Sequence, residues 1–180
     1  MYGDDCTNLF GYDSTLQSID LTNIDTSNVT NMRKMFYGCW NFTELDVSGL
    51  DTSNVTDMSE MFKACTRLTN LDVSGFDTSD VTDMRQMFKE CYAVDELDVS
   101  GFNTSNVTDM SEMFMDCHEL TELNVNGFDM TEVTGQQHTE DKYGGTSFTK
   151  GQQINTDGEV TNSHNVAPFN SSAATTAESA

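Results

Sequence analysis

Residues 61–84 spell MFKACTRLTNLDVSGFDTSDVTDM, and the frame of that line recurs at a strict interval of 26 residues. Phe36, Phe62, Phe88 and Phe114 keep one register, Cys39, Cys65, Cys91 and Cys117 a second, and Val47, Val73, Val99 and Val125 a third. A unit this short cannot bury its own apolar face, but stacked on its neighbours it builds a continuous core. The repeat therefore predicts a solenoid over residues 19–134. Full units run 19–44, 45–70, 71–96 and 97–122, and a fifth strand and turn begin at Leu123.

Within the unit 45–70, Leu45-Asp46-Val47-Ser48 alternates apolar and polar, which predicts a short strand with Leu45 and Val47 inward. Gly49 suits the exit, and Leu50 returns to the core, as do Ile24, Phe76, Phe102 and Phe128 in their copies. Asp51-Thr52-Ser53-Asn54 is a polar turn whose short side chains can bond the local backbone. Val55, Met58, Met61, Phe62, Cys65 and Leu68 then follow at spacings of three and four, which predicts a short helix to about Lys63. Thr56 would be its N-cap and Asp57 the acid of its first turn. Each unit thus turns nine apolar positions inward. Strands stack at about 4.8 Å and helices at about 8–10 Å, so the stack should curve with its strands inside. The expected fold class is an α/β repeat, a curved solenoid of strand, turn and short helix units with parallel stacked strands.

The flanks differ from the repeats. Residues 1–18 align as a partial unit, Cys6, Leu9, Phe10 and Leu16 falling on Met32, Met35, Phe36 and Phe42. Two expectations follow: this half-unit is a natural N-terminal cap, or the chain is a piece of a longer protein whose export signal lies upstream. Residues 135–169 lose the period and carry sparse apolar positions (Tyr143, Phe148, Ile154, Val160, Val166, Phe169), which suits irregular strands capping the last coil. Residues 170–180 are expected to form a disordered tail.

Thirty acidic residues against eight basic ones give a formal charge of -22. Such a field repels nucleic acid and anionic membranes and favours cationic partners, although charge also serves solubility alone. No apolar run reaches the length of a membrane span, and residues 1–20 lack the basic start and apolar centre of a signal peptide, so membrane insertion by this chain is not expected.

The line Met-Phe-x-x-Cys-x-x-Leu-Thr-x-Leu-Asp-Val-Ser-x-Phe-Asp-Thr-Ser-x-Val-Thr-Asp-Met, as it stands in residues 61–84, resembles the BspA-like leucine-rich-repeat family, specifically its bacterial surface protein 26-residue repeat. The resemblance covers residues 19–134. It implies a curved leucine-rich-repeat solenoid in a secreted or cell-surface protein used in adhesion or host interaction, and on that ground the chain is expected outside the cell or on its surface. It carries over no binding residue, and neither export signal nor anchor is written in these residues.

Two ladders carry the candidate chemistry. Asp20, Asp46, Asp72 and Asp98, continued by Asn124, should project from stacked strands, flanked by Glu44, Glu96 and Glu122. Like charges about 5 Å apart repel by roughly 1 kcal/mol per pair in a water-like dielectric. Solvent and salt can relieve that, as can calcium bridging between Asp20, Asp46, Asp72 and Asp98, or a basic protein or cationic polymer docked on the face. The four repeat cysteines could cross-link adjacent coils, but their place on the apolar face favours buried thiols. Zinc is not expected, because no Cys-x-x-Cys occurs. Thr52, Thr78 and Thr104 make a hydroxyl ladder of the sort found on ice-binding solenoids, though beside charges.

Asn28, Asn41, Asn54 and Asn106 open glycosylation acceptor sequences that arise from turn chemistry. Positions that drift between copies, Arg33/Ser59/Arg85/Ser111, Tyr37/Lys63/Lys89/Met115 and Trp40/Thr66/Tyr92/His118, should face solvent. Trp40, Tyr92 and His118 join the acidic residues as partner-binding candidates. No catalytic motif occurs, and His118, His138 and His164 have no recurrent partners. The expected function is a non-enzymatic binding or adhesion module without a cofactor, or alternatively a calcium-stabilised spacer in a larger surface protein.

Overall fold

A computed structural model describes residues 3–120, 122–125 and 128–134, and the segments 136–139, 146–149, 152–154 and 160–161. The tail at 170–180, and Tyr143, Val166 and Phe169 of the sparse apolar positions after 135, lie outside the described residues.

Successive units lie one on the next in parallel, displaced by 26 residues. Isolated parallel bridges run Asp5↔Asn31, Asn31↔Asp57, Asp57↔Asp83 and Asp83↔Asp109. The same offset joins β1 (Glu96–Asp98) to β2 (Glu122–Asn124), with Leu97 opposite Leu123. Amides donate from one coil to the next along the stack, as in Cys6 N to Asn31 O (2.8 Å), Met32 N to Asp57 O (2.9 Å), Met58 N to Asp83 O (3.0 Å) and Met84 N to Asp109 O (2.8 Å). In the segment expected to be strand, Leu45 and Val47 are buried and Asp46 and Ser48 exposed. Among the described residues the first copies meet there through a single bridge, Glu44↔Asn70, and only β1 and β2 pair as a continuous parallel ladder. Gly49 passes close to the coil before it: a Cβ there would stand 2.5 Å from the Leu21 carbonyl oxygen.

The expected helix from Val55 to Lys63 does not form. Among the described residues no α-helix occurs, and residues 58–64 are a train of tight turns. Met61 N bonds Met58 O (3.2 Å), Lys63 N bonds Glu60 O (3.1 Å) and Cys65 N bonds Phe62 O (3.1 Å). The amides between them point sideways: Glu60 N to Arg85 O (2.8 Å), Phe62 N to Met87 O (2.9 Å) and Ala64 N to Lys89 O (2.8 Å). This alternation needs left-handed backbone at every fourth residue. Glu60 (φ 59°) and Ala64 (φ 62°) supply it, as do Lys34, Gln86 and Glu112, and Gly38, Glu90 and Asp116, in the other copies. Each occupies the third position of an i to i+3 turn, where positive φ is required. A helix would spend every amide within itself and hold its neighbours about 8–10 Å away, whereas coils joined by backbone bonds sit about 4.8 Å apart. The mismatch invoked for curvature is therefore absent from these turns. The apolar spacing of three and four misled because a turn train also brings a side chain inward at those intervals.

All nine inward positions of the unit 45–70 are buried. Phe10, Phe36, Phe62, Phe88 and Phe114 stack along the axis with centroids 5.5, 5.6, 5.7 and 5.8 Å apart, the last three pairs within 4° of parallel. Such offset stacking adds to area burial. A tenth inward position is polar. Thr26, Thr52, Thr78 and Thr104 are buried, and each hydroxyl grips the next coil: Thr52 Oγ1 donates to Asp77 O (3.0 Å) and accepts from Asp77 N (2.8 Å). A hydroxyl ladder turned inward cannot meet an ice surface.

Beyond the repeats the pairing becomes antiparallel. β3 (Asp129–Met130), at the end of the stack, pairs with β6 (Gln152–Ile154), and β6 with β7 (Val160–Thr161). A separate hairpin joins β4 (Gln136–Thr139) to β5 (Thr146–Thr149).

Candidate functional site

Three aspartate columns run along the stack, and the same local device builds each. In the first, Asp20, Asp46, Asp72 and Asp98 are exposed and accept the amides of Thr22, Ser48, Ser74 and Ser100, all at 2.9 Å. These are Asx turns. The side chain of the residue two ahead, followed by its amide, holds each carboxyl below its ordinary value. For Asp46 the opposing push from Asp20 and Asp72 is weaker than either bond. The chain's own donors thus relieve part of the expected repulsion, and these bonds fall on one oxygen, Oδ1, of each carboxylate. The second column, Asp25, Asp51 and Asp77, is capped by Ser27, Ser53 and Ser79 and likewise holds its carboxyls low. Glu44 and Glu96 are exposed beside the first column. Glu122 and Asn124 face Glu96 and Asp98 in the backbone register of β1 and β2, and their side chains lie outside the described residues.

The third column, Asn31, Asp57, Asp83 and Asp109, is half-buried and lies beside most of the chain's cations. Asp57, expected to open a helix, instead caps a turn by accepting the amide (2.8 Å) and hydroxyl (2.6 Å) of Ser59. Arg85 sits 3.8 Å from both Asp83 and Asp109. Burial nonetheless raises the Asp83 carboxyl. Glu60, nearly buried, faces Arg33 (3.3 Å), Lys34 (3.5 Å) and Lys63 (3.8 Å). Glu112 accepts from Lys89 (2.6 Å) and Gln86 (2.7 Å), with Lys89 the larger cause of its lowered carboxyl. The drifting positions here are therefore not solvent-facing: Ser59 is fully buried, and Arg33, Tyr37, Lys63, Arg85 and Lys89 are half-buried in cross-coil pairs. One signal was available in the sequence. Arg33-Lys34 is followed one unit on by Ser59-Glu60, and Arg85-Gln86 by Ser111-Glu112, so cation and acid alternate along the axis.

The third drifting column behaves differently. Trp40 and Tyr92 are 41% and 38% exposed, His118 is exposed, and Thr66 between them is half-buried. Tyr92 and His118 stack at 5.0 Å with planes 10° apart.

Cys6, Cys39, Cys65, Cys91 and Cys117 are buried free thiols, so the disulfide alternative does not arise. Each repeat thiol donates to a carbonyl of the preceding coil, as Cys65 Sγ does to Phe36 O at 3.2 Å. Burial pushes the Cys39 thiol up to about 12 and also raises those of Cys65 and Cys91. Among the described residues no group of three or more His, Cys, Asp or Glu side chains is placed to hold a metal ion, including along Asp20, Asp46, Asp72 and Asp98, and no helix is long and apolar enough to cross a membrane. The sequon carboxamides of Asn41, Asn54 and Asn106 donate to the carbonyls of Ser14, Ser27 and Ser79 in the preceding coil.

Residues 4–122 and 69–177 match the family described as "Mycoplasma protein of unknown function, DUF285", and the chain belongs to that family. No curated protein and no solved structure matches.

Proposed function

We propose that this DUF285 chain is a non-enzymatic binding or adhesion module, a leucine-rich-repeat solenoid of the BspA-like kind displayed outside the cell or on its surface. Its partner is a basic protein or cationic polymer, docked on Asp20, Asp46, Asp72 and Asp98 with Glu44, Glu96 and Glu122 at the margin. The supporting observation is that the exposed aspartates repeat at the coil spacing of about 4.8 Å, each with one oxygen fixed by an Asx turn. Such a comb suits a cation-bearing chain, and the charge of -22 steers one toward it. No cofactor enters this reading. A calcium-stabilised spacer, the competing reading, would need several oxygen ligands around each ion.

The test is binding of poly-L-lysine and of basic proteins to the full chain and to a D46N/D72N/D98N triple variant, with melting followed in chelator and in millimolar calcium. Loss of binding in the triple variant at an unchanged melting midpoint supports the proposal. Undiminished binding refutes it, and a calcium-dependent rise of several degrees would replace it with the spacer.

A further inference from the structure

We infer that the column at positions 40, 66, 92 and 118 is a stacking platform for an extended, uncharged polysaccharide. This rests on the binding-module reading but not on the acidic comb. Among the described residues the large apolar side chains left exposed are Tyr12, Trp40 and Tyr92. Two of these three share one register of the repeat, two coils apart, while the phenylalanines of the full units are buried. The coil spacing puts Trp40 and Tyr92 about 10 Å from each other along the axis. Thr66, the residue between them, is short and leaves a gap. In an extended β-linked polymer alternate sugars present the same face, so two rings separated by a gap can each seat every second pyranose.

Both rings are braced rather than loose. Where Ala64, Glu90 and Asp116 stand in the other units, the Trp40 unit has Gly38, at φ 67°. The space beside its Cα is taken by Tyr12 Cδ1 at 3.4 Å and by Trp40 Cε2 and Nε1 at 3.5 Å from where a Cβ would lie. A side chain longer than a methyl would have to share that space with both rings. The unit that carries the indole is thus also the unit with no side chain beneath it. Tyr92 is held by its stack on His118.

The surroundings select the ligand class. Gln17, Asn41, Thr43 and Arg67 line a depression, Asn41 and Arg67 being the chain neighbours of Trp40 and Thr66, and Arg67 Nη1 lies 3.5 Å from Asn41 Oδ1. Amide and hydroxyl groups donate to and accept from sugar hydroxyls and a guanidinium donates to them, while the ring faces take the apolar face of a pyranose. An apolar protein anchor would strip water from those polar groups without replacing it. A polyanion, nucleic acid or acidic glycan, meets the field of a chain at -22.

The test is calorimetric titration of the full chain with cellohexaose and with chitohexaose. Binding of at least one is expected. W40A and Y92A should each weaken it about tenfold, and D46N/D72N/D98N should leave it unchanged while losing poly-L-lysine. Absence of binding by the full chain to either oligosaccharide overturns the inference, as does wild-type affinity in W40A and Y92A variants that keep the native melt. None of these results alters the poly-L-lysine readout, so the acidic comb stands or falls separately.

Discussion

Replacing Thr52 by valine tests whether the coils are held by hydroxyl clips as well as by apolar packing. Thr52 is 3% exposed, and its hydroxyl makes two bonds to one residue of the next coil, donating to Asp77 O at 3.0 Å and accepting from Asp77 N at 2.8 Å. Valine keeps the branched shape, so no cavity opens, but Asp77 loses a partner at both backbone groups. Each lost bond is worth about 1 kcal/mol, and more where the orphaned group stays dry. The site is part-buried, which gives about 2–3 kcal/mol in all. At about 3 °C per kcal/mol for a chain of this length, the melting midpoint should fall by about 6–9 °C. Thr52→Ser keeps the hydroxyl and loses one methyl, about 0.8 kcal/mol. Serine should therefore be milder than valine, the opposite of what packing alone dictates. Thermal melts followed by far-UV circular dichroism and by fluorescence of Trp40, the single tryptophan, would report both the whole stack and the unit ahead of the damaged interface. Because repeat stacks add unit and interface terms, the two signals should separate in T52V. A T52V midpoint within about 2 °C of wild type, or a serine variant less stable than the valine one, refutes the clip.

Glu60→Gln should cost about 1–2 kcal/mol in a denaturant melt, since it leaves Arg33, Lys34 and Lys63 converging without their shared anion; the figure is kept low because Arg33 and Lys34 are partly exposed. The buried thiols should resist a disulfide reagent at pH 8 in the native chain, and all five should react in denaturant; rapid native labelling of Cys65 would contradict its burial. Acid should weaken the stack. The Asx carboxyls of Asp46, Asp51, Asp72 and Asp77 titrate lower folded than unfolded, so their contribution is present above the ordinary carboxylate range and is lost as pH falls through their folded values, below about 4. Asp83, raised by burial, works the other way as a single opposing group. Melts in high salt, which screens the net charge, should therefore show a midpoint falling between pH 4 and pH 2, and a rising one would refute the assignment.

How much of this was legible in the sequence turns on which atoms carry the information. Burial was legible because the 26-residue copies compare themselves: Val55, Met58, Met61, Phe62, Cys65 and Leu68 repeat, and all are buried. The backbone between them was not. A helix and a train of turns both bring in side chains at intervals of three and four, and the deciding feature, positive φ at Glu60 and Ala64, is carried by residues with no strong preference for it. Gly38 advertises the conformation, and Asn8 and Asp116 do so more weakly. What overrides the local preference is the neighbouring coil, whose carbonyls accept the sideways amides of Glu60, Phe62 and Ala64.

The same cause explains the inward Thr52 and the buried Ser59. Their partners lie 25 residues away or in a turn that the periodicity describes as a helix. Polarity in a single copy suggested exposure, yet Thr26, Thr52, Thr78 and Thr104 recur as strictly as the phenylalanines. In a stack built of copies, strict recurrence signals contact with the next copy whatever the residue's chemistry, and drift divides by whether the copies complement each other. Arg33 against Glu60 is drift that pairs. Trp40 against Thr66 does not pair, and its indole stands over a glycine found in that unit alone. Within that column Tyr92 still stacks on His118, so it is at Trp40 and Thr66, which neither recur nor pair along the axis, that the surface is free to answer to something outside the stack, as the saccharide proposal requires.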